Sequence, residues 1–422
     1  MRLCWMITTL FFCSWVHGGE IENAPDLKNP SLVPVDIIET QAKMVVDASL
    51  TNITVDVTTT FRTEQDGKPV FFLRMDIDEL LVDGLKTRSV ATAIFEEENS
   101  TSYIDQNLTA GRHELKIKGR FTRMPGHFNQ WIPIDYIAGD FIEKALPANF
   151  MYDFYKLKIE FDLSEQPDLK IMSNGVVQKN PSKPNHWILS FSSRFNSSFF
   201  FMDLIPFDTK VETIKLRSLS GKDVEFEIYL QNPTLKKLGQ LFVDQVKEAF
   251  VELEEKLGPY PYEKITFKVL NNNRGGAFAG ALMFDRSYAS DRWIVHELSH
   301  SWYLKGISPV NGYDGWFHEG FAEWARYGFP RANKAINPIY ARALKFRPRS
   351  DRQKFPSESW DKGRIVLSHL DKLLEPNGGL LPYMEKLHRD QKGTAVSTQE
   401  FFEYLTDETG ADLEPFFRHY FR

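Results

Sequence analysis

Residues 293–303 read Trp293-Ile294-Val295-His296-Glu297-Leu298-Ser299-His300-Ser301-Trp302-Tyr303. At the centre stands H-E-x-x-H. The spacing predicts a helix over 292–303, which puts positions i and i+4 on one face, about one turn apart. Two imidazoles so placed can bind one metal ion, and zinc accepts nitrogen ligands in that arrangement. Glu297 then points toward a metal-bound water and can take its proton. Five residues alone arise by chance, so the flanks matter. Trp293, Ile294, Val295, Trp302 and Tyr303 make the helix apolar enough to be buried. Two histidines and a glutamate inside a buried helix are costly unless a metal or a polar partner satisfies them. A structural helix whose histidines find such partners is the competing reading.

Working outward, the next segment is Trp316-Phe317-His318-Glu319-Gly320-Phe321-Ala322-Glu323-Trp324. Eighteen residues separate His300 from Glu319. A turn between two helices brings Glu319 beside the histidines. Two imidazoles, one carboxylate and an open fourth position describe a catalytic zinc site and not a closed structural one. Before the first motif, leucines and phenylalanines from Leu235 to Leu257 recur at helical spacing. Gly258-Pro259 ends that helix. Lys264–Leu270 then reads as a strand, followed by a Gly-rich turn over 271–280 and a further strand over 281–284. From 315 onward the pattern is mostly helical, broken at Pro330, Pro356 and Pro376-Asn377-Gly378-Gly379.

Upstream, residues 34–207 read differently. Stretches at 52–61, 68–74, 113–121, 155–163 and 187–191 are strand-like, separated by Gly, Pro, Asn and Asp turns. Short strands at regular spacing predict a β-sandwich. Phe199-Phe200-Phe201 reads as a buried strand. The expected organisation is a signal peptide over 1–18, a β-sandwich domain over 19–212 and a catalytic domain over 213–422.

The chain has 422 residues, 42% of them hydrophobic and 26% charged, which excludes a disordered or polytopic membrane protein. Its net charge of −6 gives no basic footprint for nucleic acid. Its two cysteines, Cys4 and Cys13, both lie in the N-terminal stretch. Leu3 to Val16 is an uncharged apolar run, short for a bilayer span and suited to a secretory signal cleaved after Gly18. Cleavage there removes both cysteines, so no disulfide is expected and no membrane span remains. The expected localisation is exported, periplasmic or secreted.

H-E-x-x-H, eighteen residues, then Glu within W-x-x-E-G-F-A-E resembles the gluzincin peptidases of family M1, which include aminopeptidase N and leukotriene hydrolase. Gly258-Pro259-Tyr260-Pro261-Tyr262 and Ile171-Met172-Ser173-Asn174-Gly175 resemble shorter segments of the same family. The resemblance is strong from about 255 to 325. It implies an α+β multidomain chain: an N-terminal β-sandwich, then a thermolysin-like gluzincin catalytic domain with a helical C-terminal lobe. It leaves no room for the large C-terminal helical domain of many members. It implies zinc held by His296, His300 and Glu319, Glu297 as general base, and a peptide or protein substrate. Asp314 and Glu323 match acidic positions that can hold the ligand histidines.

Two departures stand out. The family's aminopeptidases carry a G-A-M-E-N loop whose glutamate pairs with the substrate's α-amine. Here the loop reads Gly276-Ala277-Phe278-Ala279-Gly280, with Ala279 where that glutamate would be. The segment 277–283 can still run as an edge strand beside an extended peptide. An internal peptide bond or a blocked terminus becomes a better substrate than a free one, although Asp285 could replace the lost charge. The family's oxyanion-binding tyrosine is replaced by Trp360 in Trp360-Asp361-Lys362-Gly363-Arg364-Ile365-Val366. Tyr383, Tyr340, Tyr327 and His318 are the replacement donors considered. A basic stretch at 342–354 is a solvated face or an anionic contact. The reading is an exported zinc metallopeptidase that is not a typical aminopeptidase. The alternative is a zinc-containing peptide-binding protein with weak or no catalysis.

Overall fold

Asn52–Thr63 sets the pattern of the first half. Its alternate residues Ile53, Val55, Val57, Thr59 and Phe61 face inward and are fully or nearly fully buried, while the intervening residues are more exposed. In a computed structural model, the described residues are 29–50, 52–92, 101–122, 142, 145–149, 153–191, 195–196, 200–230, 236–270, 275–278, 281–285, 291–303, 306–309, 314, 316–332 and 359–421. Asn52–Thr63 lies between Asp36–Val46 and Gly111–Thr122, antiparallel to both. Phe154–Asp162 adds to Asp36–Val46 in parallel, which makes this nine-stranded sheet mixed. A four-stranded sheet containing Lys68–Phe72 shares its core: Phe71 meets Phe61 edge to face, ring centroids 5.1 Å apart. Phe200 and Phe201 are buried, but the strand begins just after them, at Met202–Pro206.

The second half is built on a five-stranded mixed sheet. Its order is Lys210–Arg217, Asp223–Leu230, Lys264–Leu270, Ala281–Asp285 and, at the edge, Gly275–Phe278. Residue 213 therefore lies inside the first of these strands. Ile265–Lys268, in the third of these strands, is buried on both faces. Ile265 and Phe267 enter the second core, where Phe267 packs on Phe242 with centroids 5.1 Å apart. Thr266 and Lys268 point the other way, into the first half. The Thr266 hydroxyl donates to the Ser173 carbonyl at 3.0 Å, and the Lys268 ammonium meets the Asp203 carboxylate. The Ile171–Gly175 segment is thus a junction between the halves.

Among the described residues the chain is α+β, with mixed sheets and seven α-helices: α1 (Lys236–Leu257), α2 (Asp291–Ser299), α3 (Trp316–Arg326), α4 (Ser359–Leu373), α5 (Leu381–Gln391), α6 (Thr398–Thr409) and α7 (Glu414–Phe421). The apolar face of α1 buries Phe242, Val246, Phe250, Leu253 and Leu257, matching its 3.6-residue period. Gly258, at φ +78°, ends it. The phenylalanine-rich tail forms two helices, α6 and α7. Ser397 and Glu400 form a capping box that starts α6, and left-handed Gly410 ends it. The signal peptide expected over 1–18 and the basic stretch at 342–354 lie outside the described residues. No described helix is long and apolar enough to cross a membrane.

Candidate metal centre

Helix α2 carries His296 and Glu297, but it stops one residue before His300. The Ser299 hydroxyl donates to the His296 carbonyl at 2.7 Å. The chain then tightens into i→i+3 bonds, Ser301 N to Leu298 O and Trp302 N to Ser299 O, both 3.0 Å. The helix expected over 292–303 is therefore shorter. His300 nevertheless stays on the His296 side, with ring centroids 4.9 Å apart.

Helix α3 brings the carboxylate. It is buried along almost its whole length, and its backbone lies directly on α4 at Gly320 and Gly363. A Cβ on Gly320 would stand 2.5 Å from the Gly363 backbone, so only glycine allows this approach. Glu319 is delivered to the histidines by that crossing. Its Oε2 lies 3.4 Å from His296 Nε2 and 3.6 Å from His300 Nε2. Glu297 Oε2 stands 4.0 Å from His300 Nε2. All three expected ligands and the expected base thus converge, although they come from two helices and a turn.

The environment favours positive charge at the centre. His296 is raised to about 10: burial opposes its protonation, but hydrogen bonds to Glu319 and Glu323 and the Glu297 charge outweigh burial. Burial pushes Glu319 up, yet the His318 and His300 rings and the His296 hydrogen bond hold it well below the usual carboxylate range. Two ligands of one tetrahedral zinc, each about 2.0–2.2 Å from the ion, stand about 3.3 Å apart. The distances to Glu319 Oε2 match that spacing, so the residues present fit a zinc ion.

Glu323, one turn after Glu319, sits 3.1 Å from His296 Nδ1. Its other partner is the Arg326 guanidinium, 3.0 Å away, which stacks 3.5 Å over the Trp293 ring of α2. Asp314 is buried. It accepts from the Thr398 N–H at 2.9 Å and the Thr398 hydroxyl at 2.7 Å, which ties the turn before α3 to the start of α6. Burial lifts Asp314 to about 6 against those hydrogen bonds.

The glycine-rich segment is a hairpin and not one strand over 277–283. Gly275–Phe278 pairs antiparallel with Ala281–Asp285, Ala277 opposite Leu282 and Phe278 opposite Ala281. Gly276, Ala277 and Phe278 are on the edge strand; Ala279 and Gly280 lie outside the described residues. Trp360 sits in the first turn of α4. Of the candidate oxyanion donors, Tyr383 donates to the Asn377 carbonyl at 3.1 Å, and Tyr327 is exposed with Arg364 over its ring. Tyr340 lies outside the described residues. His318 is fully buried, with Nε2 3.2 Å from Glu319 Oε1. The sequence reading left Arg326 unremarked, and only its stacking on Trp293 reveals it.

This is the fold of the M1 zinc metallopeptidases. No protein-family model matches the chain, and no curated protein sequence does. Solved structures do. A variant of the M1 zinc metallopeptidase from Deinococcus radiodurans superposes with a TM-score of 0.67 at 15% identity, covering 92% of this chain and 94% of that one. Leukotriene A4 hydrolase from Saccharomyces cerevisiae gives 0.68 at 14%, covering 89% and 65%. Aminopeptidase A from Legionella pneumophila, in complex with aspartic acid, gives 0.70 at 14%, covering 94% and 50%.

Proposed function

We propose that this protein is an exported zinc metallopeptidase that cleaves internal or N-terminally blocked peptide bonds. The observation that carries the reading is the convergence of His296 and His300 on one oxygen of Glu319, with Glu297 alongside. Zinc held by these three residues would supply a Lewis acid that polarises the scissile carbonyl and makes water more acidic. The chain's own groups do the rest. Glu323 fixes the His296 ring through Nδ1, and Arg326 fixes Glu323. Glu297 takes a proton from the attacking water and returns it to the leaving amine. The strand Gly275–Phe278, at the edge of its sheet among the described residues, would line an extended substrate. The Deinococcus radiodurans neighbour has been seen with a Tyr-Ser-Ala substrate, which supports a peptide as the ligand class. Ala279 in place of a glutamate removes the counter-charge for a free α-amine, hence the preference for internal or blocked peptides. The apolar N-terminal run supports export to a periplasm or the outside.

The test compares the wild type with Glu297→Gln, both zinc-loaded, on matched free and N-acetylated peptides. Cleavage by the wild type alone, with the acetylated peptide at least as good, is expected. Equal rates in the two proteins would overturn the mechanism. A second reading, zinc-dependent peptide binding with weak turnover, is favoured by Trp360, since loss of an oxyanion donor costs roughly 10²–10³ in rate. Retention of peptides without products would select it.

A further inference from the structure

The expected ligand set leaves one imidazole unexplained. His318 is completely buried, and its ring lies 4.2 Å from that of His300 at an interplanar angle of 32°. Its Nδ1 is 3.1 Å from the Tyr303 carbonyl oxygen, which can only accept. Nδ1 therefore carries the proton, and Nε2 is aimed into the centre. There it stands 3.2 Å from Glu319 Oε1, while Oε2 of the same carboxylate faces His296 and His300. Ligand histidines characteristically donate their second ring N–H to a carboxylate or a backbone carbonyl, which fixes the tautomer. His296 has that support in Glu323, and His318 has it in Tyr303. Moreover, His300, His318 and Glu319 by themselves form a buried group whose donor atoms all lie within 4.8 Å of one another. The 3.2 Å separation is also close to the spacing of about 3.3 Å between two ligands of one zinc.

We infer that His318 is a fourth protein donor, so that the loaded centre carries three imidazoles and the Glu319 carboxylate. This rests on the zinc reading above and changes its consequence. A donor that crowds the open position retains metal more tightly and narrows access for the reaction. The adjacent pair His318-Glu319 then grips the ion from one turn of α3, and the Tyr303 carbonyl becomes part of the support.

X-ray absorption on the zinc-loaded full chain counts the imidazoles directly, with no variant needed. The wild type is expected to show three and His318→Asn two. Competition with a chelator should show zinc held at least tenfold more weakly by His318→Asn, with circular dichroism confirming that the variant is folded. Two imidazoles in the wild type, or equal zinc affinity in a folded His318→Asn, overturns the inference. A wild type with two imidazoles that still cleaves peptides refutes only the His318 assignment. A wild type that binds no zinc refutes this inference and the proposed function together.

Discussion

Replacing Gly320 by alanine tests whether the α3–α4 crossing positions the centre. The added Cβ would meet Gly363 C and Cα at 2.5 Å and Arg364 N at 2.9 Å. These are backbone atoms, so no side-chain rotation relieves the clash, and the helices must separate by roughly 1 Å to reach ordinary contact. Overpacking of this kind costs about 1–3 kcal/mol, and backbone contact puts Gly320 at the upper end. Alanine recovers about 1 kcal/mol of helix propensity. A net loss of about 2 kcal/mol follows, which in a unit of about 200 residues lowers the melting temperature by roughly 4–8 °C. The separation also moves Glu319, the next residue, away from His296 and His300. Zinc affinity should therefore fall at least tenfold. Calorimetry and chelator competition on the same preparation read both effects. Gly363→Ala, whose Cβ would stand 2.5 Å from the Trp316 carbonyl oxygen, should behave alike. A Gly320→Ala protein as stable as the wild type, with unchanged zinc affinity, would show that the crossing does not set the geometry.

Three more outcomes follow from other contacts. Glu323→Gln keeps the shape but weakens the acceptor at His296 Nδ1, and should weaken zinc binding about 10–100-fold in chelator competition. Lys268→Met strips the buried Asp203 of its ammonium partner and should cost about 3–5 kcal/mol in urea unfolding, whereas Lys268→Met with Asp203→Leu should recover most of that. His388 is buried and held down at about 3, by burial first and then by the Lys392 charge. Between its usual value near 6.5 and about 3, the unfolded chain takes up a proton that the folded one refuses. Stability is therefore full above pH 6.5 and falls by up to about 5 kcal/mol as pH drops through that window. His388→Leu should flatten this slope in denaturation curves at pH 7, 5 and 4; an unchanged slope would contradict the assignment.

Much of the chemistry was legible in the chain because it rests on local spacing. Two histidines four positions apart and a glutamate in a second apolar helix announce a His/His/Glu centre before any packing is known. The strand stretches at 52–61, 113–121 and 155–163 were readable from alternation, because one face of each is buried. Other features were not. The early end of α2 lies in the i→i+3 bonds of Ser301 and Trp302, and no periodicity reports that. Asp314 was legible as an acidic position near the ligand helix, but not its hydrogen bonds to Thr398, more than eighty residues away. The hairpin at 275–285 was hidden because glycine and alanine carry no alternating signal.

Alone, then, the sequence determined which donor types exist and their spacing along the chain. Covalent order and periodicity are local properties, and they suffice for those statements. Tertiary structure decided which donors meet. It placed both imidazoles of the motif on one oxygen of Glu319 by way of a glycine–glycine helix crossing, and turned Nε2 of His318 toward the other. It clamped Glu323 with Arg326 over Trp293. Such meetings depend on how closely two helices approach, and that distance is set by atoms far apart in the chain.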